Sequence, residues 1–245
     1  MKKLLCLFCL SGWAIALTAQ TNYLPGYIIT LENDTLFGQI DYRDDYTLGS
    51  ICRFEDQQGV KTEFSPNEIV AYRFIDSRYF VSKAIDRQKY FLEFLISGRM
   101  NVYYLRDSKG DHYFMDKGND QLTKIPYTDE IRYSQKHGEY HYRSTLHNGI
   151  LSYYMQDAPQ LQKKIYQIKE PNHQSLITLA KNYHYAVCEE NEECMVFVHP
   201  TPFIKIQAEP FVGYSMMVEN ASAGLLWIGA NIYFWLPRTN ENWYF

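Results

Sequence analysis

Chemistry-bearing motifs are what this sequence has least of. No serine stands in Gly-x-Ser-x-Gly, and no glycine-rich loop is spaced to cradle a phosphate. Basic residues are too few to build a field for nucleic acid: 24 Lys and Arg face 28 Asp and Glu, a net charge of −4. No long acidic tail, internal repeat or low-complexity linker occurs. Cysteine is sparse. Cys6 and Cys9 lie near the amino terminus, and Cys52, Cys188 and Cys194 form no Cys-x-x-Cys among themselves. That excludes a zinc-ribbon or thioredoxin-type motif after the leader, and an odd number of cysteines leaves at least one outside any intrachain disulfide.

Two clusters have the residue types of a metal site. His137, His141 and His147 are close in sequence. A helical i, i+4 pair would align the first two, but Gly138 and the surrounding tyrosines argue against a helix, and no zinc-hydrolase carboxylate spacing accompanies them. The acidic run Glu189-Glu190-Asn191-Glu192-Glu193 lacks the Asp/Asn spacing and the glycine of a calcium loop. The reading is therefore no catalytic residue, no cofactor-binding residue and no metal ligand: a chain that is not an enzyme, with no cofactor and no nucleic-acid partner.

What is present begins with an export signal. Lys2 and Lys3 precede an apolar stretch from Leu4 to Leu17, and Ala19 places a small residue before a cut at Gln20. Residues 1–19 read as a secretory signal peptide, too short to span a membrane as a helix. Beyond it the composition is 16% aromatic, with 22 tyrosines, which favours strands and half-exposed surfaces. Short apolar-alternating runs separated by Asn33-Asp34, Gly59, Gly98 and Ser108-Lys109-Gly110-Asp111 predict about ten strands up to residue 125. Ser65-Pro66-Asn67-Glu68 has the form of a capping box opening one helical turn. Residues 131–142 are ambiguous. Short helices are expected at about 146–188, the last capped by Asn172 and carrying a stripe of Leu176, Leu179, Ala180 and Tyr183. The fold class is mainly β with a helical segment: an antiparallel sandwich or open barrel over residues 20–200.

Residues 203–245 differ. Ile206, Ala208, Pro210, Val212 and Tyr214 alternate with polar neighbours, and Leu226, Ile228, Ala230, Ile232, Phe234 and Leu236 repeat the pattern. Side chains alternate across a strand, so each run has one apolar face. Each run is long enough to cross a bilayer as a tilted strand, which takes about 9–11 residues. The pattern predicts a barrel-like hairpin, with the edge of a soluble sandwich as its rival.

With these residues in place, the chain resembles a family of uncharacterised exported proteins of Gram-negative bacteria, each with a β-rich domain followed by an outer-membrane β-barrel. The likeness rests on Gly26-Tyr27-Ile28-Ile29-Thr30-Leu31-Glu32-Asn33-Asp34-Thr35 with Gly38-Gln39-Ile40-Asp41-Tyr42, and on Ser65-Pro66-Asn67-Glu68-Ile69. It extends through Tyr103-Tyr104, Asn182-Tyr183 and Cys188 to Gly213-Tyr214 and Leu236-Pro237-Arg238. It implies no activity. Relatives resemble one another in carrying a cysteine where this chain has Ala158, so the resemblance implies a replacement partner for Cys188, and Cys194 is the candidate for a disulfide. It also implies that the barrel portion is truncated after two strands, or completed by self-association through the hairpin. The expected function is a structural or ligand-binding envelope protein at the outer membrane or in the periplasm. The alternatives are a soluble periplasmic binding module whose hairpin completes its own sheet, and a glycan-active enzyme of unrecognised class.

Overall fold

A computed structural model describes residues 22–118, 121–135, 138–188, 193–198, 205–215 and 225–235. The expected signal peptide, residues 1–19, lies outside the described residues.

The described chain opens on a hairpin of β1 (Tyr23–Thr30) and β2 (Thr35–Asp41), with Asn33 at φ 67° in its turn. Asparagine tolerates that left-handed backbone better than most residues. A short helix α1 (Asp45–Leu48) follows, its first N–H groups capped by the Asp44 carboxylate. The chain then continues as β3 (Cys52–Glu55), β4 (Lys61–Phe64), β5 (Ile69–Phe74), β6 (Tyr79–Ile85) and β7 (Gln88–Ser97). β8 (Asn101–Asp107), β9 (Gly110–Asp116) and β10 (Thr123–Ile125) complete the run. All pair antiparallel, in the order β10-β9-β8-β7-β6-β5-β1-β2-β3-β4. The first strand is thus inserted between two meanders, β2–β4 on one side and β5–β10 on the other.

This order forces curvature. Only residues 65–68 join β4 to β5, and a turn closed by the Glu68 N–H on the Ser65 carbonyl, at 3.0 Å, shortens them further. In the ladder β5 stands across β3, β2 and β1 from β4. That is about 19 Å in a flat sheet at about 4.8 Å per step. The link fits because the sheet curls, and Ile28, Ile40, Phe54, Tyr72, Phe74, Phe80 and Phe91 fill the inside, with Phe64 of β4 packed against them. The expected helical turn at Ser65 does not form. Glu68 does reach back to accept from the Ser65 N–H at 2.7 Å, but β5 begins at Ile69 and leaves no room for an i, i+4 bond.

Gly38 sits beside the β2–β3 pairing, next to Gln39. A Cβ there would collide with the Glu55 carbonyl oxygen and lie 2.6 Å from Phe54 Cζ. Gly38→Ala should therefore cost about 1–3 kcal/mol, the usual penalty for overpacking. Thermal unfolding checks it, and an unchanged midpoint would contradict the crowding.

After β10 the ambiguous residues resolve as a separate hairpin, β11 (Asp129–Ser134) with β12 (Gly138–Arg143). Helix α2 (Leu146–Tyr154), a 3₁₀ turn (Pro159–Leu161), α3 (Gln162–Tyr166) and α4 (His173–Val187) follow. Asn172 caps α4 through the Ser175 N–H, and the Ser175 hydroxyl answers to the Asn172 backbone. The predicted stripe Leu176, Leu179, Ala180 and Tyr183 is buried against Leu95, Val102 and Met115 of the sheet, together with Leu151, Met155 and Ile165. The helices are therefore one cover of the β7–β10 face. β13 (Met195–Val196) pairs with the end of β7.

Candidate functional site

The last two strands form a sheet of their own. β14 (Lys205–Ser215) and β15 (Leu225–Trp235) are each 11 residues long and pair in perfect antiparallel register. Cross-strand partners share a face. The register matches Ile206 with Phe234, Ala208 with Ile232, Pro210 with Ala230 and Val212 with Ile228. Every one of these pairs is apolar, so the two sequence stripes merge into one continuous face. It is uncovered: Ile206, Val212, Leu226, Ile228, Ile232 and Phe234 are 44–77% exposed.

The opposite face is mixed. Glu209 stands across from Asn231, Phe211 from Gly229 and Gly213 from Trp227. The Phe211 ring covers Gly229 so closely that a Cβ there would overlap Phe211 Cζ and lie 2.8 Å from its Cε1. An aromatic ring laid over a cross-strand glycine shields the bare backbone and fixes register. Leaving six large apolar side chains in water forgoes about 1.5–3 kcal/mol each, against a net stability of about 5–15 kcal/mol for a whole domain. Such a face needs an apolar environment. No helix among the described residues is long and apolar enough to cross a membrane, which says nothing of crossing by strands.

The other sequence candidates do not converge. His137 lies outside the described residues, as does most of the acidic run 189–193. His141 is on the β11–β12 hairpin, 2.9 Å from Asp129. His147 is buried in α2, with Nε2 2.7 Å from the Ile168 carbonyl. Among the described residues no group of three or more metal-ligating side chains assembles. Cys52 is fully buried in β3, and burial pushes its thiol far above the ordinary range. The expected bridge between Cys188 and Cys194 is not made in this structure. Cys188 Sγ sits instead 3.3 Å from Arg99 Nε and 3.4 Å from His184 Nδ1, and Cys194 Sγ lies 4.0 Å from the Tyr185 hydroxyl.

One constellation has no counterpart among the sequence motifs. Arg78, at the start of β6, is buried between Glu93 of β7 and Asp45 of α1. Its Nε donates to Glu93 Oε1 at 2.9 Å, and its Nη2 lies 2.5 Å from Glu93 Oε2 and 2.8 Å from Asp45 Oδ1. The guanidinium also lies over the Phe80 ring, 4.9 Å from its centroid. The Tyr104 hydroxyl donates to Asp111 Oδ1 at 2.8 Å and lies 3.2 Å from Asp45 Oδ2, and the Tyr113 hydroxyl meets His173 Nδ1 at 2.9 Å. Charges this deeply buried are affordable only when compensated. The cluster joins α1, the sheet and α4 into one body. A lone arginine before a strand gives no sequence signal of it, because its partners lie far away in the chain.

No protein family, no curated protein and no solved structure matches this chain.

Proposed function

We propose that the chain is an exported, non-enzymatic envelope protein, a β-rich domain held at the outer membrane by the β14–β15 hairpin. The observation that carries this reading is the register of that hairpin. It gathers the apolar residues of two bilayer-length strands onto one exposed face. The leader at residues 1–19 supplies the route of export.

Two strands leave two open edges, and an unpaired backbone group in hydrocarbon costs several kcal/mol. In this reading further strands, from other copies of the chain or from sequence beyond residues 205–235, pair with those edges. Self-association through the hairpin is part of the proposal.

Expression in a Gram-negative host tests it. The full chain should sediment with the outer membrane and resist alkaline extraction, and its mature form should begin at Gln20 by intact mass. A chain ending at residue 202 should be soluble and melt cooperatively. A soluble full chain, or an unfolded shortened one, would overturn the reading; the second result would mean that the hairpin completes the soluble sheet.

A further inference from the structure

The end of α4 carries a cluster that membrane attachment does not use. His184 and Cys188 are four residues apart on or just beyond α4 and face the same way. His184 is buried and Cys188 half-buried. The backbone N–H of Arg99, in the turn between β7 and β8, donates to His184 Nδ1 at 3.2 Å. With Nδ1 accepting, the neutral ring carries its proton on Nε2. Cys188 Sγ lies 3.5 Å from that Nε2 and 3.3 Å from Arg99 Nε. The sulfur is thus met by a guanidinium N–H and by the imidazole ring, from whose two nitrogens it is nearly equidistant.

Gly98 lets the turn come this close. A Cβ there would lie 3.0 Å from His184 Nδ1 and 3.3 Å from Cys194 Cβ, so His184 and the second cysteine pack on the same glycine. The adjoining cleft, about 560 Å³, is lined by Arg99, Lys117, His184 and Glu193 among others. Two influences oppose a thiolate: the carbonyl end of α4, with a partial negative charge of about half a unit, and the Glu193 carboxylate that lines the same cleft. The Arg99 guanidinium is in direct contact with the sulfur and favours the thiolate.

We propose that Cys188 is a reactive thiol, a site of thiol–disulfide exchange with small or peptide disulfides, and that Cys194 resolves the product. The Cys188 thiolate attacks one sulfur of R–S–S–R. The S–S bond breaks, RS⁻ leaves with the electron pair and takes a proton from solvent, and a Cys188–S–S–R mixed disulfide forms. The Cys194 thiolate then attacks Cys188 Sγ and expels the second RS⁻. The dithiol loses two electrons, and the incoming disulfide gains them to become two thiols. This is the oxidised form in which the Cys188–Cys194 bridge exists, and it does not depend on membrane attachment.

The test uses the full chain in detergent, with oxidised glutathione as the probe and mass spectrometry as the readout. Cys188 should take up glutathione at least about tenfold faster than Cys194 or the buried Cys52. Cys194→Ser should trap the mixed disulfide, whereas the natural chain passes on to the internal bridge. Arg99→Ala should slow the first step about tenfold with the melting temperature unchanged, and Arg99→Lys should recover part of the rate. Equal rates at Cys188 and Cys194, or no effect of Arg99→Ala in a folded chain, would overturn the proposal. A mixed disulfide that persists in the natural chain would remove Cys194 from it.

Discussion

Replacing Arg78 with methionine should cost about 3–5 kcal/mol at neutral pH, because it leaves Glu93 and Asp45 buried without their countercharge. The pH dependence should distinguish this from simple loss of packing. Burial by itself would raise the Glu93 carboxyl, but Arg78 beside it, joined by His173 with Nε2 3.8 Å from Oε2, overrides burial and holds the group well below the usual carboxylate range. A depressed carboxylate contributes stability that is present above its unfolded value, about 4.3, and lost as the pH falls through the folded value. In Arg78→Met the sign reverses. Burial now dominates, Glu93 is raised, and the variant recovers as acid protonates it. The difference between the two proteins should therefore shrink steadily from pH 7 to pH 4 in denaturant unfolding. Adding Glu93→Gln should restore part of the loss at pH 7. A pH-independent difference would show that the charges are not what Arg78 supports.

Tyr72→Ala should be comparably severe, about 3–5 kcal/mol by the cost of emptying an aromatic core site. Tyr72 is wholly buried, stacked on Phe80 at 4.7 Å and edge-on to Phe91 at 5.0 Å. Its hydroxyl donates to the Leu48 carbonyl at 2.6 Å, so it also satisfies the end of α1. Burial holds the phenol far above its ordinary range, and it stays a donor at every working pH. Tyr72→Phe isolates that bond and should cost about 1–3 kcal/mol, the price of a buried carbonyl left without its partner. Urea unfolding of both variants separates the ring from the hydroxyl. An alanine variant no weaker than the phenylalanine one would contradict the packing.

Local chemistry in the sequence announces local structure in this protein. Asn33-Asp34 marks the first turn, Asn172 caps the last helix, and the period of Leu176, Leu179, Ala180 and Tyr183 gives the buried face of α4. The alternation around Ile206 and Ile228 likewise reads as two long strands. Pairing between distant segments is silent. Nothing near Tyr27 tells that β1 runs between β2 and β5, since ladder bonds are made by backbone groups common to every residue. α1 has no signature in the sequence, because four residues are too few to show a helical period. Residues 131–142 carry charged and aromatic side chains on both faces of their hairpin, which erases the alternation that marks a half-buried strand. At the Cys188 cluster the histidine and cysteine are readable as an i, i+4 pair. The arginine that completes it arrives from a turn 89 residues away.

β7 contributes residues to all three hydrophobic clusters among the described residues. Phe91 points into the curled half of the sheet, Leu92 onto its outer face, Glu93 holds Arg78, and Leu95 and Ile96 lie under the helices. It pairs with β6, β8 and β13. A layered protein with separate hydrophobic clusters ordinarily has a seam along which one part can open while another stays closed. Here one backbone is threaded through all of them, and a fluctuation that frees β7 from the helices also loosens the aromatic interior. The curled sheet and its helical cover therefore open and close together, as a single cooperative unit.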